Sequence, residues 1–207
     1  LPDETILAFD TSAAHCAAAL LSGGRIVAQA HEDMTRGQAE RLIPLLQEVL
    51  RDADLDWSDL TRIGVGIGPG NFTGIRISVA AARGLALGLR IPAIGVSSLE
   101  ALTHGTNGPV VTSVDARAGK VYLGIDDKEP ILANLDALPD LPRGARCIGF
   151  AADTLAAACD GLAADPAHPL PDAIALVAAD RVEGPRPAPL YIRAPDAAPA
   201  RPVPPVV

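Results

Sequence analysis

Positive charge is scarce in this sequence. Seventeen Lys and Arg stand against 25 Asp and Glu, leaving a formal charge of −8 and a pI near 4.9. Neutralising phosphates takes a basic surface, so the chain is not built to grip nucleic acid alone. Any such contact is expected through a partner or a local patch. Cysteine is scarcer still. Cys16, Cys147 and Cys159 are odd in number and sit in apolar surroundings, so they read as buried thiols of a reducing compartment and not as a disulfide framework. The four histidines, His15, His31, His104 and His168, contain no i, i+4 pair, and no Cys-x-x-Cys occurs, which leaves no metal-ligand spacing. The Gly-x-Ser-x-Gly elbow of serine hydrolases is absent. Cys16 follows His15 directly, and neighbours on a strand point to opposite faces, so the two read as a buried thiol beside a surface imidazole. No window offers the roughly 18 apolar residues of a membrane span. The apolar run Thr5–Phe9 is too short for a signal peptide and lacks a basic flank. A cytoplasmic protein without membrane contact is expected.

What is present describes a globular protein: 49% hydrophobic and 20% charged over 207 residues, enough for one domain or two small subdomains. Thr5–Asp10, Ala17–Leu21 and Arg25–His31 are closely spaced strand candidates and form an antiparallel meander. A helix is expected over Arg36–Ala53, where Leu42, Leu45, Leu46, Val49 and Leu50 recur at helical spacing. Pro44 removes one bond there, so the helix kinks at it or begins near it. Trp57 lies in the polar connection that follows and reads as a cap on a core edge.

Arg62–Ile67 is a strand running into Gly68-Pro69-Gly70-Asn71-Phe72-Thr73-Gly74, and Asn71 or Thr73 is placed to cap a helix reaching about Arg90. Strand, glycine turn and helix N-terminus together suit an anion, because free N–H groups and the helix dipole point the same way. The same shape also serves as a purely structural turn, and the Walker lysine and dinucleotide spacing are both missing. The helix itself is apolar apart from Arg76, Arg83 and Arg90, which recur every seven residues and share one face. Gly74, Ser78, Ala81 and Gly88 form a small-residue stripe beside them, suited to close approach of another helix. The arginines are either a solvated face or a cationic stripe for an acidic partner or phosphates.

Ile91–Val96 is a further strand, and Ser97 or Ser98 caps a short helix to Leu102. After the polar stretch Gly105–Gly108, Pro109–Asp115 repeats the opening theme of an apolar strand closing on an acid, with Lys120–Ile125 as its return. Arg146–Phe150 reads as a strand, and Ala151–Cys159 and Asp172–Val182 as helices. From Gly184 onward eight of 24 residues are proline; Leu190–Arg193 is a strand-like piece and Ala194–Val207 an extended tail. Asp10 with Thr11 and Ser12 could orient a phosphate or a metal-bound water, or simply close an Asx turn. Asp115 with Arg117 reads as a hairpin tip.

Four stretches in order carry a family resemblance: Ile6–Ser12, Gly68–Ile77, Gly95–Ala101 and Asp115-Ala116-Arg117. They resemble the TsaB (YeaZ) family of bacterial tRNA threonylcarbamoyladenosine biosynthesis proteins, and Pro189–Arg193 returns to the same pattern. The resemblance implies an α/β, actin-like (ASKHA, ribonuclease H-like) fold of two related subdomains with mixed sheets flanked by helices. It divides the chain into an N-terminal subdomain 1–104, a smaller C-terminal one 105–193, and a Pro/Ala-rich tail 194–207.

It also implies a function without catalysis by this chain. Such a subunit pairs with the catalytic paralogue TsaD in the complex that forms N6-threonylcarbamoyladenosine beside the anticodon of tRNAs reading ANN codons. TsaE is the ATPase of that complex, and a homodimer forms when TsaD is absent. Arg36, Leu42, Gly74, Arg76, Ser78 and Arg83 are the implied partner interface. Asp10, Thr11, Ser12, Gly68 and Gly70 are the implied nucleotide- or phosphate-proximal set. TsaD holds a metal with a His-x-x-x-His pair at the place matched here by Ser98 and Leu102, so no metal and no catalytic residue are expected. No cofactor is required by this chain, although ATP or ADP can enter the complex. tRNA is met only through the complex. Phe150 falls where actin-like ATPases carry a Gly-rich adenosine motif. The alternative is a stand-alone actin-like enzyme, either a nucleotide-dependent kinase or a glycoprotease-type peptidase.

Overall fold

The opening strand is the axis of the first sheet. All six residues of β1 (Thr5–Asp10) are buried, as a strand covered on both faces requires, and Ile6-Leu7-Ala8-Phe9 supplies apolar groups at both parities. In the computed structural model, which describes residues 4–192, β1 pairs antiparallel with β2 (His15–Ser22), and β2 with β3 (Arg25–Asp33). On its other side β1 meets β4 (Arg62–Gly66) in parallel, and β4 meets β5 (Ala93–Val96), giving the order β3-β2-β1-β4-β5. Leu7 and Phe9 share a core with α1 (Gln38–Asp52) and α2 (Phe72–Leu89), whereas Ile6 and Ala8 share one with α5 (Leu170–Asp180). Phe9, Ile6 and Leu7 are fully buried, each burial worth about 2 kcal/mol relative to exposure.

The second sheet repeats the first. β6 (Val110–Arg117), β7 (Lys120–Ile125) and β8 (Ile131–Asn134) form an antiparallel meander. β9 (Arg146–Gly149) and β10 (Leu162–Ala164) add to the far side in parallel, giving β10-β9-β6-β7-β8. α4 (Ala152–Ala158) covers it through Leu155 and Ala156, and α3 (Ser98–Thr103) lies between the halves, against β6 and α5. This doubled arrangement is the actin-like fold.

Several expectations change. α1 starts at Gln38 and runs through Pro44 without a break, so the proline neither begins nor ends it. The residues expected to form one smaller unit, 105–193, divide between the halves. β6–β10 and α4 build the second sheet, but α5 returns to β1, β2 and β4 of the first, because Ala173, Ile174 and Ala178 fill the core beneath Ile6 and Ala8. Leu190–Ile192 is not a strand but part of a strap along α2. The expected tail, 194–207, lies outside the described residues.

α2 also corrects the hydropathy reading. Its 18 residues reach a mean hydropathy of 1.3 with only 28% of them buried. Among the described residues, one helix is therefore long and apolar enough to cross a membrane, where none was expected. Its inner side is packed against the sheet through Gly74, Ile75, Ser78, Val79 and Ala82.

Candidate functional site

Where β1 ends, Asp10, Thr11 and Ser12 turn beneath the start of α2, and three glycines make room for them. A Cβ on Gly66 would lie 1.9 Å from Asp10 Oδ2, one on Gly70 2.4 Å from the Ser12 carbonyl, and one on Gly74 1.8 Å from the Thr11 carbonyl. Only glycine allows that approach. Gly68 adopts a φ of +87°, and the Gly68–Pro69 peptide is cis.

The turn satisfies most of its own polar groups. Asp10 is fully buried, and its Oδ1 accepts from Ser12 N–H at 2.8 Å, Ser12 Oγ at 2.9 Å and His15 Nε2 at 2.8 Å. Its Oδ2 is buried with no hydrogen-bond partner. Thr11 Oγ1 donates to the Gly74 carbonyl at 2.7 Å. Asn71 N–H donates to the Ser12 carbonyl at 2.6 Å, and Asn71 Oδ1 caps α2 by accepting from Thr73 and Gly74 N–H. The amides of Asn71, Thr73 and Gly74 are thus already bonded. The loop with Gly68 and Gly70 is a packed turn that aims α2, and the structure brings Asp10, Thr11 and Ser12 to it, with Ser12 and Gly70 reaching the wall of a cleft.

A cleft of about 480 Å³ opens between the halves, lined among others by Ser12, Asn71, Ser98, Ser113, Asp115 and Phe150. Among the described residues, its only charged lining groups are Asp115 and Arg117. Asp115 is exposed and accepts from Arg117 N–H at 2.7 Å, closing the hairpin tip. Asp115 is not the counterpart of Asp10. β1 pairs Phe9 with Val65, which sets Asp10 beside Gly66, while β6 pairs Ser113 with Gly149. Ser113 therefore holds the equivalent place, and its Oγ donates to the Phe150 carbonyl at 2.5 Å and the Ile148 carbonyl at 3.3 Å. Ser98 and Leu102 both line the cleft. A hydroxyl and an alkyl group there do not fit a metal that takes imidazole ligands. No three His, Cys, Asp or Glu side chains converge among the described residues. Phe150, 42% exposed, narrows the second wall of the cleft.

The expected interface residues separate into two groups. Leu42, Gly74 and Ser78 are buried within the chain: Leu42 in the core under α1, Gly74 on Thr11, and Ser78 with its Oγ donating to the Gly66 carbonyl at 3.2 Å. Helical periodicity identified a small-residue face, of which this protein's own sheet covers Gly74 and Ser78, while Gly88 stays open. Arg36, Arg76 and Arg83 are exposed. Arg36 borders a shallow polar depression at the starts of α1 and α2. On the outer face of α2, Arg76, Ala80, Arg83 and Leu87 are all exposed, Leu87 to 75%, and a Cβ on Gly84 or Gly88 would meet open space. Leu87 and Gly84 escaped the sequence reading, although position 87 follows Arg76 and Arg83 by eleven and four residues and so shares their face.

The three cysteines are free and buried. Burial pushes the Cys16 thiol up to about 11 and the Cys147 thiol up to about 12, the latter with its sulfur 3.8 Å from that of Cys159.

Residues 27–139 match the family model described as TsaD, tRNA N6-adenosine threonylcarbamoyltransferase. The tRNA threonylcarbamoyladenosine biosynthesis protein TsaB of Escherichia coli is 39% identical over 123 residues, 56% of this chain and 52% of the relative. The chain thus matches about half the length of that relative. An uncharacterized protein of Mycobacterium tuberculosis is 33% identical over 206 residues, 95% of each chain. Among solved structures, YeaZ from Pseudomonas aeruginosa superposes with a TM-score of 0.71 at 26% identity, covering 91% of this chain and 99% of that one. Doubled sheets, the glycine-walled turn under α2 and these matches agree, and the chain belongs to the TsaB (YeaZ) family.

Proposed function

We propose that this chain is a non-catalytic subunit of the assembly that forms N6-threonylcarbamoyladenosine in tRNA, and that it supports a catalytic TsaD subunit by docking through the outer faces of α1 and α2. One observation carries the reading. α2 has the hydropathy of a core helix, yet only 28% of it is buried. Leu87 is 75% exposed, between the open glycines 84 and 88. An apolar face with small residues suits a second helix at close range. Without TsaD, the same face joins two copies of this chain.

The cleft supports the same division of labour. Among the described residues its lining contains one carboxylate, already used in a hairpin turn, and the one lining hydroxyl beside an acid, Ser12 Oγ, is spent on the buried Asp10 that closes its own turn. The acidic balance of −8 favours tRNA contact through the partner, with TsaE supplying ATP hydrolysis to the assembly. Free, buried thiols suit a cytoplasmic setting. The test is tRNA modification assayed with this chain alone, with TsaD alone, and with both in the complete system. Modification is expected only with both, and turnover by this chain alone would overturn the reading.

A further inference from the structure

The outer face of α2 carries two cations held in place by a distant part of the chain. After α5, residues 184–192 run along α2 as an extended strap containing Pro185, Pro187 and Pro189. Leu190 N–H donates to the Ile67 carbonyl at 2.8 Å, and Pro187 is buried next to Gly95. From this anchored strap, the Pro187 carbonyl accepts from Arg83 Nε at 2.7 Å, and the Tyr191 hydroxyl accepts from Arg76 Nε at 2.9 Å. The Arg76 guanidinium also sits 3.6 Å over the Phe72 ring, whose centroid is 5.2 Å from that of Tyr191.

The strap braces these side chains without hiding them. Arg76, Arg83, Phe72 and Tyr191 all remain exposed. Each bond uses Nε, leaving the outer guanidinium N–H groups for another acceptor. Neither arginine forms an ion pair with a described residue, and neither α2 nor residues 184–192 contain an acid.

We propose that the strap pre-organises Arg76 and Arg83 as a paired receptor for two carboxylates on an acidic helix of the partner subunit. Seven residues of helix set the cations about 10 Å apart along the axis, the spacing of acids two turns apart on a facing helix. The proposal rests on the reading that α2 is the docking face, and it adds the chemistry of what docks there. An unbraced arginine loses rotamer freedom when it binds; here that loss occurs on folding, so association is stronger. A protein partner is favoured over nucleic acid because Ala80, Gly84 and Leu87 lie between and beside the cations. That apolar, small-faced ground suits helix packing better than a phosphate track.

The experiment is calorimetry of the full chain against purified TsaD at low and moderate salt. Arg76→Gln and Arg83→Gln are each expected to weaken binding about tenfold and flatten its salt dependence. Tyr191→Phe keeps the ring and removes only the accepting oxygen. It is expected to weaken binding about threefold in the native background and not at all in Arg76→Gln, the non-additivity that a bracing role requires. Leu87→Glu separates the two claims. If it abolishes binding while the arginine and tyrosine variants bind as the native chain does, docking stands and bracing is overturned. If Leu87→Glu binds normally, the docking reading fails and the receptor with it. Loss of tRNA affinity in the arginine variants, with TsaD binding intact, would instead assign the patch to nucleic acid and overturn the proposal.

Discussion

The two sheets share one strand order, but their central strands end in opposite ways. β1 delivers a fully buried Asp10 into a turn packed so closely by β4 and the start of α2 that Gly66, Gly70 and Gly74 have no room for a Cβ. β6 places Ser113 at the equivalent position and carries Asp115 out to solvent. The helix that follows on this side, α4, has seven residues against the 18 of α2. Shared topology therefore fixes strand pairing but not chemistry, which depends on what crosses the ends of β1 and β6. In the first half Thr11 Oγ1 and the Ser12 carbonyl hold the start of α2, Asp10 Oδ1 closes the turn through Ser12, and Asp10 Oδ2 has no partner. In the second half the strand end is left open to the cleft.

The largest effect expected from this contrast is at Gly74. In most helices Gly→Ala is favourable by about 1 kcal/mol. Here the new Cβ would lie 1.8 Å from the Thr11 carbonyl, so the helix must lift off the turn. Gly74→Ala is expected to cost about 3 kcal/mol or more and to lower the melting temperature by about 10 °C. Gly84→Ala, on the open face of the same helix, is expected to raise it slightly. Equal melting of the two variants in calorimetry would mean that α2 does not cross the turn this closely.

A smaller effect compares the two acids. Asp10→Ala removes an acceptor of three buried or partly buried bonds and is expected to lower the melting temperature by about 5 °C. Asp115→Ala removes one exposed turn bond and is expected to leave melting within about 1 °C of the native value. Ser113→Ala falls between them, because its hydroxyl ties β6 to two carbonyls at the end of β9. Thermal melts of the three variants side by side give the ranking, and an Asp115 variant as damaging as Asp10→Ala would restore the idea of two equivalent acids.

The features legible in the sequence were local ones. The meander, the leucine spacing of α1 and the Asn71 cap all depend on residues a few positions apart. The pairing of Asp10 with Asp115 missed by two residues because an apolar run ending in an acid marks a strand end, whereas equivalence depends on register against β4 and β9. Periodicity also identified the small face of α2 but could not say which neighbour fills it: Gly74 and Ser78 meet this chain's own sheet. The strap was illegible for a plainer reason. Tyr191 and Arg76 are 115 residues apart, and no local pattern joins a tyrosine in a proline-rich stretch to a helix in the other half of the chain.

The smallest effect concerns α5, which the later part of the chain contributes to the first sheet. Asp172, in its first turn, is 8% exposed, and its Oδ1 is buried without a hydrogen-bond partner. Burial raises its carboxyl above the ordinary carboxylate range, and nearby His168 partly offsets the rise. The sign follows from proton binding: the folded state holds this proton more tightly than the unfolded chain, so stability falls as pH rises from about 4 through the raised value. Asp172→Asn keeps the shape and removes the charge, and it is expected to raise the melting temperature at pH 7.5 by about 2 °C. The gain is expected to narrow as pH is lowered through the raised value toward about 4, because the native carboxyl then regains its proton. A gain that persists unchanged at the lower pH would mean that the charge of Asp172 is not what limits the packing of α5 on the first sheet, and that its unpaired Oδ1 is.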